Sequence, residues 1–164
     1  MADTMTPEQR HRCMAAIKGK DTKPEIIVRK YLFSRGLRFR IQVRKLPGNP
    51  DIVLPKYKTV IFVDGCFWHG HEGCKYFKMP KSNVEFWQNK IDRNIARDIR
   101  NEAELKALGW RVIRIWECEF KPVSGRDEYL SRLYDRIVKP IQSYSLDADI
   151  ADSPIAAEPE SDYV

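Results

Sequence analysis

The chain has 164 residues, of which 43% are hydrophobic and 32% charged, with a formal net charge of +6. This composition is typical of a soluble globular protein whose single core needs no disulfides. No apolar run approaches the roughly 20 residues of a membrane span, and the N-terminus lacks the basic and apolar regions of a signal peptide. We therefore expect a cytoplasmic protein, whose clustered cysteines bind metal rather than form disulfides.

The charge is unevenly distributed along the chain. Residues 141–164 contain six acidic residues and no Lys or Arg, so residues 1–140 carry 29 basic and 17 acidic side chains, a net charge of +12. A basic body suits a polyanion such as nucleic acid, although a merely soluble basic surface would have the same composition. We predict one domain over residues 1–140 and a disordered acidic tail over residues 141–164 that screens the basic face.

Two short helices are predicted near the N-terminus. Thr6 precedes a proline and is predicted as the N-cap of a helix that extends to about Ile17. Thr22 and Glu25 form a capping-box pattern at the start of a second helix, which ends at Gly36.

Three strands are predicted next. Residues 37–43 alternate apolar and polar side chains, which is typical of a strand with one solvent-exposed face. Residues 51–54 and 59–63 are short apolar strands, joined through residues 55–58 in a hairpin.

The C-terminal half is predicted to contain a long helix, a strand and a last helix. A capping-box pattern over residues 82–85 opens the long helix, which closes near Gly109. Residues 110–117 form a strand, and residues 127–138 form a helix that Pro140 stops. The order α-α-β-β-β-α-β-α predicts an α/β fold with a mixed central sheet flanked by helices.

The long helix has two distinct faces. At about 100° per residue, Trp87, Ile91, Asp98 and Leu105 share one narrow, otherwise apolar face. Asp98 needs a partner there, because an unpaired carboxylate on an apolar face is costly. A nearby arginine and a catalytic histidine are both candidate partners. A second face is basic, and it is either simply solvated or clamps the phosphates of DNA. Its members are Lys90, Arg93, Arg97 and Arg100.

Two acids flank the predicted hairpin strands. Asp51 begins the first strand and Asp64 ends the second, so a tight hairpin would bring both carboxylates to one end of the sheet. Asp51 alone is a weak signal, because Asp also begins strands for reasons of turn geometry. Two carboxylates together can hold a hard cation such as Mg²⁺, which polarises a phosphate and supplies hydroxide.

The loop after Asp64 is rich in metal ligands. Residues 66–74 read Cys-Phe-Trp-His-Gly-His-Glu-Gly-Cys, and one more cysteine follows the next apolar run. Three thiolates and one imidazole make the closed tetrahedral shell of a structural zinc ion, whereas the alternative is a set of unrelated buried thiols. Either histidine of the loop could be the fourth ligand; with His71 in that place, His69 is free for proton transfer near neutral pH. The predicted zinc ligands are Cys66, His71, Cys74 and Cys118.

Adjacent aromatic residues occupy the same loop. Phe67 and Trp68 cannot both point into one core, and Trp87 offers a further ring from the long helix. A rigid loop that carries apolar wedges is suited to entering and unstacking a base step. The alternative is that one ring packs in the core and the other is exposed.

With these residues assembled, the chain resembles the very-short-patch repair (Vsr) DNA mismatch endonucleases over residues 5–138. Residues 46–51, 60–69, 85–87 and 109–118 carry the resemblance, and Gly-Cys-Phe-Trp-His over residues 65–69 is its most specific string. The resemblance implies a restriction-endonuclease-like core that has lost the Lys of its metal-binding motif. It also implies a Mg²⁺-dependent nick 5′ to the thymine of a T:G mismatch left by deamination of 5-methylcytosine.

The resemblance also implies roles for individual residues. Asp51 would be the central Mg²⁺ ligand, helped by the backbone carbonyl of Val63. His69, oriented by Asp98, would handle the proton, and Glu25 would assist.

Further roles follow from the same resemblance. Some members carry a histidine where this chain has Asp64, and we expect Asp64 to be a catalytic or metal-site acid. Phe67, Trp68 and Trp87 would form the intercalating wedge. Residues 1–22 would enter the opposite groove. The further DNA-contacting residues are Met14, Ile17, Lys90, Arg93 and Arg97.

The predicted partner is double-stranded DNA with a T:G mismatch, with mismatch-repair proteins as further candidates, and we expect a monomer that does not bind membranes. Two other functions fit the sequence: a related endonuclease that cuts unmismatched or differently marked DNA, and a zinc-bearing DNA-binding module without activity. The combination of Asp51, His69 and Asp98 favours an enzyme.

Overall fold

The computed structural model describes residues 5–139. The predicted tail over residues 141–164 and the stop at Pro140 lie outside the described residues. The described part contains five α-helices, three strands and a short 3₁₀ helix at Pro55–Tyr57. Their bounds are α1 Pro7–Ala15, α2 Lys23–Ser34, β1 Ile52–Leu54, β2 Thr59–Asp64, α3 Val84–Ala107, β3 Arg111–Trp116, α4 Glu117–Phe120 and α5 Arg126–Val138.

The three strands form one mixed sheet in the order β1-β2-β3. β1 and β2 are antiparallel, with Ile52 opposite Ile61, which confirms the predicted hairpin. β2 and β3 are parallel, and Asp64 is opposite Trp116 at the far end of the ladder. The connection between these parallel strands begins at the carboxyl end of β2 with the cysteine-rich loop and returns along α3 to the amino end of β3.

The predicted strand over residues 37–43 is wrong. Within this segment only Arg40 pairs with the sheet, through an isolated bridge to Val53 with two backbone hydrogen bonds of 2.8 Å. Gln42 adopts a φ of +54°, which takes the backbone out of the extended region and ends the pairing. The apolar side chains of the segment do not share one buried face, because Leu37 is buried whereas Ile41 is 41% exposed. The described sheet therefore has three strands rather than four.

The sheet is covered on both faces. All six residues of β2 are buried, as expected for a central strand between two helical layers. One face packs against apolar residues of α2 and α5, among them Leu32 and Leu133. The other face packs against α3 through Phe62 and Leu105. α3 therefore covers this face of the sheet.

The helix ends confirm some predictions and correct others. Thr6 caps α1 through a reciprocal bond pair with Gln9, but α1 ends at Ala15 rather than near Ile17. The two predicted capping boxes are wrong. Thr22 donates its hydroxyl to the Glu25 carboxylate instead of accepting a backbone N–H. α3 begins after Asn83 in a left-handed conformation with no side-chain cap, and it closes before Gly109 as predicted.

Candidate active site and metal centre

Asp51 lies at the point where β1 enters the sheet. Its Oδ2 accepts the Val63 backbone N–H at 2.7 Å, so the hairpin holds the carboxylate against β2. Burial raises the pKa of Asp51 to about 7, and the nearby charges of Glu25 and Asp64 also raise it. The result is a crowded, poorly solvated acid whose negative charge would be stabilised by a cation.

Glu25 reaches the same cleft from the first turn of α2. It is only 4% exposed, and hydrogen bonds from the protein replace the water that its carboxylate has lost. It accepts the Asp21 backbone N–H, the Thr22 hydroxyl and the Arg29 guanidinium, each at 2.9 Å. The helix N-terminus further favours a negative charge at this position. These three bonds therefore hold the Glu25 carboxylate in one orientation.

The cysteine-rich loop presents His69 to Asp98 of α3. Their Nδ1 and Oδ2 atoms are 2.5 Å apart, so the histidine, and not an arginine, is the closer partner of this carboxylate. Burial lowers the pKa of His69, but the bond to Asp98 and the charge of Asp64 outweigh it, and the net pKa is raised. The ring is thereby oriented by a carboxylate on Nδ1, which leaves Nε2 for proton exchange.

Two features hold the loop in this position. Asn94 of α3 donates its side-chain amide to the Trp68 carbonyl at 2.9 Å. Gly70, with a φ of +65°, packs so closely on α3 that a Cβ there would lie 2.7 Å from the Ile95 side chain and 3.0 Å from Ile91. Glycine at this position therefore permits the close approach that brings His69 to Asp98.

Asp64 ends β2 beside His69, and it is 2% exposed. Its Oδ1 lies 3.7 Å from His69 Nε2, while its Oδ2 bonds Nη1 of Arg114 at 2.5 Å. Burial raises the pKa of Asp64 although Arg114 and His69 oppose the shift. The hairpin prediction is confirmed here, since Asp51 and Asp64 lie at the same end of the sheet.

One cleft of about 900 Å³ joins these groups. Asp51, Glu25, Asp64, His69 and Asp98 all line it. The same cleft is lined by further DNA-contact candidates and polar residues. These are Ile17, Lys18, Lys20, Gln42, Asn49, Trp68, Arg97, Asn101 and Glu117.

The aromatic rings predicted as a wedge form one cluster. Phe67 meets Trp68 at 5.1 Å and Trp87 at 5.5 Å between ring centroids, and the two tryptophans are 6.0 Å apart. All three rings are half-buried and meet edge-to-face, a stable geometry for aromatic pairs. The Lys90 ammonium lies 5.3 Å from the centroid of the Trp68 ring and makes a cation–π contact with the cluster. Each ring is thus partly buried and partly exposed, so the predicted alternative of one ring in the core and one exposed ring does not describe the cluster.

The remaining predicted contact residues are more scattered. Ile17 and Arg97 line the cleft, and Ile17 is 48% exposed. Met14 is 38% exposed on α1 but is not among the described residues of the cleft lining. Arg93 is exposed on α3 and donates to the Asn89 carbonyl. The structure therefore places Ile17 and Arg97 in the same cleft as the acids and leaves Met14 and Arg93 outside its lining.

The predicted metal ligands converge at a second centre. One ligand atom from each of Cys66, His71, Cys74 and Cys118 lies within 4.8 Å of all the others. Three thiols and one imidazole are a common donor set of structural zinc sites. His71 stacks on Trp116 with ring centroids 4.1 Å apart, which fixes its orientation toward the cysteines. The structure thus groups His71 with the thiols and His69 with the acids.

The pKa values of the three clustered cysteines shift in different directions, and the backbone N–H of Tyr76 lowers that of Cys74. Burial and the neighbouring sulfurs raise the pKa of Cys118 to about 12, and burial raises that of Cys66. A coordinated metal ion reverses this effect because it stabilises thiolates. The cluster follows the strand ends of β2 and β3, directly beside the loop that carries His69.

Several residues of the site were not found from the sequence. Arg114 contacts the acids around His69, Asn94 holds the loop, and Arg29 holds Glu25. Arg114 could have been recognised from the sequence, because it is a charged residue among apolar residues of a predicted strand. Asn94 and Arg29 could not have been recognised in this way, because polar residues are common on the exposed faces of helices.

No helix among residues 5–139 combines the length and apolarity needed to cross a membrane.

Comparison with known proteins identifies the family. A family model described as DNA mismatch endonuclease Vsr matches residues 2–75. The type II nicking enzyme V.NmeAIP of Neisseria meningitidis serogroup A is 49% identical over 137 residues, covering 84% of this chain and 97% of that protein. The type II nicking enzyme V.XorIIP of Xanthomonas oryzae pv. oryzae is 46% identical over 135 residues, covering 82% and 98%. The DNA mismatch endonuclease Vsr of Escherichia coli is 45% identical over 128 residues, covering 78% and 80%.

With relatives at 45–49% identity over 128–137 residues and a matching family model, the chain belongs to the Vsr DNA mismatch endonuclease family and is a DNA endonuclease.

Proposed function

We propose that this endonuclease nicks one DNA strand 5′ to the thymine of a T:G mismatch, in a Mg²⁺-dependent reaction that starts very-short-patch repair. The proposal rests mainly on one observation. Asp51, Glu25 and the His69–Asp98 pair line a single cleft, and the half-buried ring of Trp68 lines it as well. A hydrolytic site and a base-unstacking device are thus side by side.

The residues around Asp51 fit a Mg²⁺ ion. The carboxylate is buried, repelled by two other acids and bonded by one backbone N–H, so its charge favours a hard divalent cation. In this proposal Asp51 and the backbone carbonyl of Val63 hold the ion. When bound, Mg²⁺ supplies Lewis-acid polarisation of the phosphate and lowers the pKa of coordinated water.

His69 is placed to move the proton. Asp98 accepts the Nδ1–H, which fixes the tautomer in which Nε2 carries the lone pair. Nε2 then takes a proton from the attacking water or returns one to the leaving oxygen. Glu25, held by three donors in the same cleft, assists by keeping a second carboxylate beside Asp51.

The aromatic cluster supports recognition of a mismatch. Phe67, Trp68 and Trp87 brace one another, so an inserted ring would not collapse into the loop. A T:G wobble is poorly stacked, and wedging beside it costs less than wedging beside a matched pair. The deformability of the mismatched step then supplies part of the selectivity.

In this proposal the remaining residues either contact DNA or stabilise the fold. Lys90, Arg93 and Arg97 of α3 contact phosphates, and residues 1–22, with Met14 and Ile17, enter the opposite groove. Zinc at the Cys/His cluster is structural and holds the loop. We assign the sheet and its helices to a restriction-endonuclease-like core within a single domain over residues 1–140.

A second candidate is a nicking endonuclease that acts on unmismatched or differently marked DNA. It is favoured by the names of two relatives at 49% and 46% identity, which call them type II nicking enzymes and do not mention a mismatch.

One assay separates the two candidates. Duplexes that differ only in a T:G, T:A or C:G pair are incubated with Mg²⁺ or with EDTA, and nicked strands are mapped by denaturing electrophoresis. We expect a Mg²⁺-dependent nick 5′ to the mismatched thymine and none in the matched duplexes. Equal nicking of matched and mismatched DNA would instead establish the second candidate.

Variants of the same assay test the site. Asp51→Ala should stop nicking and leave binding of the T:G duplex intact, because it removes the proposed metal ligand and not the wedge. Asp135→Ala, at an exposed acid of α5, is the control and should nick normally. Full nicking by Asp51→Ala would rule out the proposed role of this acid.

A further inference from the structure

Arg114 is a charged side chain in the middle of β3, between two buried isoleucines. Its side chain is 19% exposed and extends over the Phe62 ring, with Cζ 4.6 Å from the ring centroid. Its Nη2 atom is buried and has no hydrogen-bond partner in the described part of the chain. Burying a guanidinium in this way is costly, so the strand requires a compensating interaction.

The compensation comes from three carboxylates. Arg114 Nη1 lies 2.5 Å from Asp64 Oδ2 and 4.0 Å from Asp98 Oδ2. Its Nε lies 3.5 Å from Glu102 Oε2. The acids belong to β2 and α3, so one guanidinium connects the sheet to the long helix at the end where the cleft opens.

Two of these carboxylates also contact His69. Asp98 bonds Nδ1 at 2.5 Å, and Asp64 Oδ1 is 3.7 Å from Nε2. The imidazole therefore lies between two acids that share Arg114 as their counter-charge. Each ring nitrogen therefore lies near a carboxylate that also lies near Arg114: Nδ1 near Asp98 and Nε2 near Asp64.

Removing the guanidinium would change what Asp64 does. This carboxylate is 2% exposed and bonds Arg114 through one of its two oxygens, with His69 near the other. Without Arg114 its charge would be uncompensated, and it would be drawn to any cation at Asp51, the adjacent acid of the cleft. Such a rotation would take Asp64 away from His69.

We propose that Arg114 is a positioning residue for strand nicking: it holds Asp98, which orients His69 through Nδ1, and it keeps Asp64 beside Nε2 of the imidazole instead of at the metal ligands. This inference rests on the proposed function of the cleft. It also defines the role of Asp64, which orients the base and does not coordinate the catalytic ion.

The first test compares nicking by variants of two arginines on the same strand. Arg111 is the matched control, because it is also partly buried on β3 but its guanidinium bonds Thr59 and the Ile137 carbonyl, neither of which lines the cleft. We expect Arg114→Met to lower the single-turnover nicking rate of a T:G duplex about 10²-fold, as a displaced catalytic group does, with duplex affinity unchanged. Arg114→Lys should recover a large part of the rate, because an ammonium can still pair with Asp64. Arg111→Met should nick at the wild-type rate.

The second test reads the imidazole directly. The chain has three histidines, His11, His69 and His71, so a long-range ¹H–¹⁵N spectrum of the rings is simple to assign. At one fixed pH and without Mg²⁺, the ring signals of His69 should shift in Arg114→Met and return toward wild type in Arg114→Lys. The signals of His71 should stay unchanged, and Arg111→Met should alter neither.

The third test is a double-mutant cycle. Because Arg114 is proposed to act through both Asp64 and Asp98, the rate losses of Asp64→Asn and Arg114→Met should combine to clearly less than their product. Multiplied losses, a wild-type rate in Arg114→Met, or unshifted His69 signals would each overturn the proposal. Should the wild-type protein fail to nick T:G duplexes, the proposed function is wrong, and the His69 signals still decide whether Arg114 holds the ring.

Discussion

The position of Gly70 predicts that one added methyl group will separate His69 from Asp98. Gly70 has a φ of +65°, and a Cβ built there lies 2.7 Å from the Ile95 side chain and 3.0 Å from that of Ile91. Ile91 is only 2% exposed, so it has little room to move. In Gly70→Ala the loop must therefore lift from α3, and the bond between His69 and Asp98 must lengthen.

The magnitude follows from two separable effects. The left-handed backbone costs an L-residue about 1–2 kcal/mol, offset by about 0.4–1 kcal/mol because alanine restricts the unfolded chain. Overpacking against a buried side chain adds about 1–3 kcal/mol. Gly73 isolates the first effect, since its φ is +75° and a Cβ there would meet nothing within 4 Å. We expect Gly73→Ala to lose about 1 kcal/mol of unfolding free energy and Gly70→Ala to lose about 1–3 kcal/mol more.

The two variants are compared by urea unfolding in the presence of zinc and by single-turnover nicking. Gly70→Ala should nick about 10²-fold more slowly, because its proton-transfer group is displaced, while Gly73→Ala nicks normally. Equal unfolding free energies, or normal nicking by Gly70→Ala, would show that contact with α3 does not position the loop.

Three other outcomes follow from the structure. Cys118→Ala should lower bound zinc from one per chain to none and lower the thermal unfolding midpoint, and retention of zinc by metal analysis would count against the assigned centre. Trp68→Ala should weaken binding to a T:G duplex by the roughly 1–3 kcal/mol of one stacked base, with binding to matched DNA unchanged; equal weakening on both duplexes would argue against a wedge. Deleting residues 141–164 raises the net charge from +6 to +12 and should strengthen nonspecific DNA binding at low salt, so unchanged affinity would contradict screening by the tail.

Local interactions explain why parts of the fold could be predicted. The β1–β2 hairpin and the closure of α3 before Gly109 depend on neighbouring residues, and both predictions were confirmed. The four metal-site residues could be predicted as well, because three of them lie within one loop and a tetrahedral shell needs a fixed number of soft ligands.

Predictions failed where the same local residues could adopt a second arrangement. Thr22 matches a capping box, but its hydroxyl bonds Glu25, whose carboxylate is also held by Arg29 one turn further on. Residues 37–43 alternate like a strand, yet the left-handed Gln42 leaves only one bridge to the sheet.

What this chain's sequence determined by itself is the inventory of its chemistry: the soft ligands, the acids at the strand ends, the histidine beside a tryptophan and the aromatic pairs. Only the tertiary structure decided which of these groups interact. The partners of Asp64 and Asp98 lie on other elements, His69 across the cysteine-rich loop and Arg114 on β3. Electrostatic pairing depends on distance through space. The pairing of β2 with β3 brings Arg114 to Asp64, which is 50 positions away, and the packing of α3 on the sheet brings Asp98 to the same group.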